Sequence, residues 1–209
     1  MIIDQIAKAK KVLILGYGRE GQSTEQFLKS QFPNLKIDIA DKKDNPDYLN
    51  MIKDYEIIIK TPGISPHFPE IVEAVKQGKL ITSQTKMFFE LCPGKIIGVT
   101  GTKGKSTTSS LIHHVLINNG VKSILVGNIG KPMLDYLPEI RADTWVVAEL
   151  SSYQLMDLHM SPHIAVLLNI YPDHLDYHKD FEEYKNAKLN IAKYQKPGDK
   201  KPGFSGIRV

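Results

Sequence analysis

Six short apolar, β-branched runs recur along the chain and limit its fold more than any other feature. They are Lys11-Val12-Leu13-Ile14-Leu15, Lys36-Ile37-Asp38-Ile39-Ala40, Glu56-Ile57-Ile58-Ile59, Lys95-Ile96-Ile97-Gly98-Val99, Trp145-Val146-Val147-Ala148 and Ile164-Ala165-Val166-Leu167-Leu168. Several are continuously hydrophobic, as strands buried on both faces are. Helix-like stretches separate them, roughly 20–31, 68–77, 105–119 and 180–194. Strand–helix alternation of this kind specifies an α/β fold, a parallel sheet covered by helices on both faces. Cys92-Pro93-Gly94 punctuates the pattern just before a new strand, which divides the chain into domains 1–92 and 93–199.

Composition narrows the function classes. The 209 residues allow one or two domains. With 27 Lys and Arg against 23 Asp and Glu, the net charge is +4. That suits anionic small substrates, but no clustered basic stripe points to nucleic acid. No apolar run approaches the ~18 residues of a membrane span. The opening MIIDQIAKAKK has no apolar signal core. The single cysteine, Cys92, excludes an internal disulfide and reads as a small buried hydrophobe. A cytoplasmic protein is expected.

Both predicted domains place a glycine loop after their first strand, where α/β sheets bind ligands. In the second, the run Ile96-Ile97-Gly98-Val99-Thr100-Gly101-Thr102-Lys103-Gly104-Lys105-Ser106-Thr107-Thr108 leads a strand through glycines into a helix. Backbone N–H groups in such a loop curl around phosphate oxygens, and the helix N-terminus adds its dipole. Lys105 would reach the β- and γ-phosphates, and a hydroxyl of Ser106 or Thr107 would ligate Mg²⁺. Val99 stands where the strict phosphate-loop template has glycine, with Gly98 and Gly101 on either side. Glu149 closes a buried strand, where its carboxylate can face this loop and complete a Mg²⁺ site. Asp173-His174-Leu175-Asp176 follows another strand on the same predicted edge. His174 is therefore preferred over His113, His114, His159, His163 and His178, which lack such a context.

The first domain carries Gly16-Tyr17-Gly18-Arg19-Glu20-Gly21 after its first strand, with Asp41 twenty residues beyond Gly21. By pattern this is a dinucleotide fingerprint on a Rossmann-like sheet. An NAD-binding domain of an oxidoreductase remains open on these residues. Against it, an ATP-type loop follows where a dehydrogenase would carry its catalytic domain.

The segment Thr100-Gly101-Thr102-Lys103-Gly104-Lys105-Ser106-Thr107 resembles the ATP loop of the Mur ligase and folylpolyglutamate synthetase superfamily. Gly127-Asn128-Ile129-Gly130, Glu149-Leu150-Ser151-Ser152-Tyr153-Gln154-Leu155, Asn169-Ile170-Tyr171-Pro172-Asp173-His174-Leu175-Asp176 and Ala187-Lys188-Leu189 resemble further segments of the Mur ligases, in the same order and spacing. The similarity covers about residues 10–199. The Ser-Ser-Tyr-Gln string is closest to the branch that adds D-glutamate to UDP-N-acetylmuramoyl-L-alanine.

The resemblance implies ATP bound by Gly101, Thr102, Lys103, Gly104, Lys105, Ser106 and Thr107. It implies Mg²⁺ held by Ser106 or Thr107, Glu149, His174 and a carbamylated Lys188. Asn128, Ser151 and Gln154 would surround the muramoyl-alanine group. Leu15, Gly16, Tyr17, Gly18, Arg19, Asp41, Lys43 and the turn through Gly63 would line a UDP site. Arg19 stands where relatives commonly have small or hydroxyl residues. The family chemistry is ATP-dependent amide-bond formation through an acyl phosphate, with Lys105, His174 and Lys188 in catalytic positions and the intact protein a monomer.

Lys188 also stands out without the resemblance. Phe181, Tyr184 and Ile191 form an apolar stripe at helical spacing, and Lys188 falls inside it. Two readings are open from periodicity: a lysine that snorkels its amine to water, or a buried lysine with a depressed pKa. Finally, residues 200–209 place Pro and Gly where a further strand belongs. The central domain is therefore expected to be truncated. The strand at 164–168 would then lack neighbours.

Overall fold

The computed structural model describes residues 1–199, so the expected atypical tail, 200–209, lies outside the described residues. The chain forms two α/β units, Met1–Leu91 and one that begins at Cys92.

In the first unit, strands β1 (Lys11–Leu15), β2 (Lys36–Ala40), β3 (Ile57–Lys60) and β4 (Leu80–Thr82) form a parallel sheet of order β2-β1-β3-β4. Helices α1 (Ile2–Lys8), α2 (Arg19–Gln31), α3 (Pro69–Lys76) and α4 (Gln84–Leu91) accompany it. A 3₁₀ segment, Tyr48–Asp54, replaces a regular crossover helix between β2 and β3. The continuous apolar runs are central strands: Val12 to Leu15 and Ile58 are fully buried. One face of the sheet packs Leu13, Leu15 and Ile58 against Ile52, Ile64, Ile71 and Ala74.

The second unit repeats the plan. Strands β5 (Lys95–Thr100), β6 (Ser123–Gly127), β7 (Trp145–Glu149) and β8 (Ile164–Leu167) form a parallel sheet of order β6-β7-β5-β8. Helix α5 (Lys105–Asn118) packs against β5, β6 and β7, and α7 (Phe181–Lys193) packs against β5 and β8. A short helix, α6 (Ser152–Leu155), follows β7, and a 3₁₀ segment spans Met133–Glu139. Among the described residues β8 pairs with β5 alone and bounds the sheet.

Strand order positions both glycine loops. In each sheet the chain goes to one side of its first strand and later crosses to the other side, so β1 and β5 sit at reversal points. The crevice at the carboxyl ends of such strands is where open α/β sheets bind ligands. Register places Val99, Glu149 and Gly127 side by side at the carboxyl edge of the second sheet. The phosphate-type loop, the acidic strand end and the Gly127–Gly130 turn therefore converge.

Candidate functional site

The loop after β5 enters α5 through Gly104, whose φ of 85° lies in the left-handed region. A side chain there would be strained, and glycine has no such penalty. The first four N–H groups of a helix lack intrahelical acceptors, and no side chain caps this end of α5. The loop N–H groups do not all serve a ligand. Thr102 N–H donates to the Asn169 carbonyl at 2.8 Å and Lys103 N–H to Asn169 Oδ1 at 2.9 Å. These two members of the expected ATP set thus brace the loop. The Thr102 hydroxyl is buried, 2.8 Å from Tyr184 Oη, and accepts from Tyr171 N–H at 3.0 Å. Ser106 and Thr107 are exposed at the first turn of α5.

Two lysines converge on one carbonyl. Lys105 Nζ donates to Gly101 O and to Thr102 O, each at 3.0 Å, and Lys188 Nζ donates to Gly101 O at 2.9 Å. Lys188 is only 2% exposed and its ammonium lies 4.8 Å from the Tyr184 ring centroid. The snorkelling reading fails: α7 turns Lys188 inward with Tyr184, Ala187 and Ile191. Burial chiefly, and then the charge of Lys105, push its pKa down to about 8, with Asp173 opposing.

Glu149 is 1% exposed. Its Oε1 accepts from Asn128 Nδ2 at 3.2 Å, while Oε2 is buried without a hydrogen-bond partner. A buried carboxylate oxygen left in this state is costly, and a cation is its natural partner. His174 occupies a left-handed turn, φ 54°, and its half-exposed ring packs on Tyr153 at 5.1 Å between centroids. Among the described residues no three His, Cys, Asp or Glu side chains assemble as a metal group. Any cation here would also depend on hydroxyls and on Lys188 chemistry.

A cavity of about 260 Å³ collects Lys105, Asn128, Ser151, Ser152, Tyr153, His174, Tyr184 and Lys188. Five of these were expected from the sequence; Ser152, Tyr153 and Tyr184 were not. Gln154, expected beside the substrate, is buried in a capping box instead. Its N–H donates to Ser151 Oγ at 3.2 Å, and its Oε1 accepts from Ser151 N–H at 3.0 Å. Its place is to fix Ser151 at the start of α6.

In the first unit, the segments after β1, β2 and β3 meet at one sheet edge. Gly16 has φ 89°, and a Cβ there would lie 2.2 Å from Thr61 Oγ1. Asp41 closes the glycine loop, accepting from Tyr17 N–H at 2.5 Å and from Lys43 N–H at 2.9 Å. Those two N–H groups, Lys43 first, hold its carboxyl below the usual carboxylate range. Leu15 is fully buried and its carbonyl accepts from Thr61 N–H at 2.9 Å, so its side chain cannot touch a ligand. Gly18, Arg19 and Gly63 are exposed on this rim. A larger cavity, about 570 Å³, lies at the opposite end of the sheet, lined by Lys8, Lys11, Ile57 and Leu80 at or before strand starts. It holds none of the expected site residues.

Residues 99–201 match the Mur ligase middle domain. The chain belongs to the Mur ligase family. It is 40% identical over 216 residues to a UDP-N-acetylmuramoylalanine--D-glutamate ligase of Clostridium kluyveri, covering 93% of this chain and 46% of that protein. A protein of the same name from Ruminiclostridium cellulolyticum is 42% identical over 179 residues, covering 86% of this chain and 38% of the relative. The one from Acetivibrio thermocellus is 40% identical over 211 residues, covering 92% and 45%. The chain thus spans less than half the length of these Mur ligase relatives. The fold is similar to that of the UDP-N-acetylmuramate:L-alanyl-gamma-D-glutamyl-meso-diaminopimelate ligase from Neisseria meningitides, with a TM-score of 0.51 at 18% identity, covering 88% of this chain and 68% of that one. No helix among the described residues is long and apolar enough to cross a membrane.

Proposed function

We propose that the intact protein joins D-glutamate to UDP-N-acetylmuramoyl-L-alanine at the expense of ATP, in the cytoplasm, during peptidoglycan synthesis. The observation that carries this reading is the buried, unpartnered Oε2 of Glu149, on the carboxyl edge of the sheet from which the glycine loop runs into an uncapped helix end, with Asn128 linking it to the cavity that holds two lysines. That arrangement suits a cation bridging protein to phosphate. The curated relatives carry the name of this reaction over nearly the whole chain.

In this reading the N-terminus of α5 and Lys105 bind the ATP phosphates, and Lys105 leaves the Gly101 and Thr102 carbonyls to do so. Glu149, His174, Ser106 or Thr107 and carbamylated Lys188 would hold Mg²⁺, and the unpaired Glu149 oxygen fits that use. When bound, Mg²⁺ supplies charge neutralisation on the transferring phosphoryl group. The substrate carboxylate attacks the γ-phosphorus, ADP leaves, and an acyl phosphate forms. The D-glutamate amine then attacks the carbonyl carbon, releasing inorganic phosphate and one proton. The Lys188 amine, about half neutral near pH 8, can take up CO₂: one N–C bond forms and one proton is lost, giving the carboxylate that a hard cation prefers. Asn128 and Ser151, on the cavity wall, would contact the muramoyl-alanine end. The rim of the first unit, from Gly16 to Arg19 with Asp41, Lys43 and Gly63, would take UDP.

Calorimetry on the chain tests the reading. Mg·ATP should bind, Lys105→Met should lose it, and Glu149→Gln should bind ATP with no Mg²⁺ dependence. UDP-N-acetylmuramoyl-L-alanine should bind more tightly than NAD; the reverse order would overturn the assignment of the first unit. Completed with the C-terminal portion of a relative, the enzyme should release phosphate with D-glutamate and not with L-lysine.

A further inference from the structure

His178 has no part in the chemistry above, yet it is one of the least exposed polar residues in the second unit. Its side chain is 0% exposed. Its Nε2 lies 3.0 Å from Ser152 Oγ, the first residue of α6, in a fully buried hydrogen bond. Its Nδ1 faces Glu183 Oε2 of α7 at 3.8 Å. Its ring stacks on Tyr153 at 5.7 Å and meets Tyr184 edge-on at 5.4 Å. Its backbone N–H donates to the carbonyl of His174 at 3.1 Å. The imidazole therefore touches α6, 26 residues away in sequence, and α7, while the backbone of the same residue closes the turn at His174; all three segments supply the cavity wall.

We infer that His178 is a positioning residue: it pins α6 to the His174 turn and to α7, and so sets the separation between Ser151–Tyr153 on one wall and Tyr184–Lys188 on the other. The bond to Ser152 is buried, so its loss leaves a polar group without a partner and lets α6 move. A four-residue helix has almost no stability of its own and stays only where tertiary contacts hold it. Its own capping box fixes its shape, whereas the His178 bond fixes its place in the unit. Tyr153 would follow α6 outward, and His174, which packs on Tyr153, would lose its support.

The inference rests on the proposed function only for the choice of ligand. The test is calorimetric titration of the 209-residue chain with Mg·ATP, beside thermal melting. His178→Phe keeps ring volume and stacking but removes both nitrogens. It should weaken Mg·ATP by about tenfold, the equivalent of one buried hydrogen bond. His178→Gln, which can still reach Ser152, should bind within about threefold of the parent on the same basis. Ser152→Ala should match the Phe variant, and the double variant should lose no more than either alone, as partners in one bond do. Unchanged affinity in Ser152→Ala or His178→Phe, or losses that multiply in the double variant, would overturn the inference. If His178→Phe fails to fold, Ser152→Ala and His178→Gln still decide it. Failure of the parent chain to bind Mg·ATP would count against the proposed function instead. In that event amide exchange over 151–155 decides the clamp: faster exchange in Ser152→Ala and normal exchange in His178→Gln support it, and exchange unchanged by Ser152→Ala refutes it.

Discussion

Replacing Lys188 by methionine should stabilise the second unit at neutral pH. Lys188 is 2% exposed, and its pKa falls from the ordinary 10.5 to about 8 because the ammonium is desolvated. A displacement of that size corresponds to about 3 kcal/mol of penalty on the charged form. The sign follows from proton counts. Between pH 8 and 10.5 the unfolded chain holds more protons than the folded one, so parent stability rises with pH across that window. Below pH 8 both states hold the proton and the full penalty applies. Methionine keeps most of the apolar stem and carries no charge. It also removes a hydrogen bond to Gly101 O, but Lys105 still donates to that carbonyl, so no acceptor is orphaned. Allowing about 1 kcal/mol for the lost bond, the variant should gain roughly 2 kcal/mol at pH 7; the gain should vanish at about pH 9.5 and become a loss of about 1 kcal/mol by about pH 10.5. Urea unfolding in CO₂-free buffer measures it. Trp145, the only tryptophan in the sequence, lies in β7 and so reports the second unit. A variant less stable than the parent at pH 7, or a difference that does not change with pH, would refute the argument. The same variant should lose any Mg²⁺ dependence of nucleotide binding, since the carbamate cannot form.

Two further substitutions probe what holds each site in place. Gly16→Ala forces a side chain into a left-handed backbone and against Thr61 Oγ1. It should destabilise the first unit by at least about 1–2 kcal/mol and weaken UDP-substrate binding, with Mg·ATP binding unchanged; unaltered melting of the first unit would contradict this. Asp180→Ala removes the N-cap of α7, whose Oδ1 accepts from Glu183 N–H at 2.8 Å. Chemical denaturation should show a loss of about 1 kcal/mol.

Much of the architecture is legible in the residues because buried strands and amphipathic helices write their periodicity locally. The six apolar runs became six strands with ends shifted by at most one residue. Two strands were not legible, β4 and β6. Both lie at sheet edges and pair on one side only, so neither needs a continuous apolar run: Leu80–Thr82 is three residues long, and Ser123–Gly127 has one fully buried residue. The helices α1 and α4 were also missed, being short and bounded by weak signals.

The site divides in the same way. The glycine–lysine loop and the lysine inside an apolar stripe could be recognised because each is contained within one turn or one helix face. What Lys188 does there could not. Its partner, the Gly101 carbonyl, is 87 residues away, and no local pattern records which carbonyl a helix face will meet. Gln154 and Thr102 belong to segments expected from the sequence to bind ligands, and only the folded chain shows their polar atoms committed to Ser151 and Tyr184. His178 is the clearest case. Along the sequence it is one histidine among seven, without context, because the groups that define it come from α6, with its Tyr153 ring, and from α7. Sequence by itself determined the periodic elements and the two glycine loops, whose causes are local. The tertiary structure alone decided which buried polar groups meet across the sheet edge, since that depends on strand order and register, which no single segment encodes.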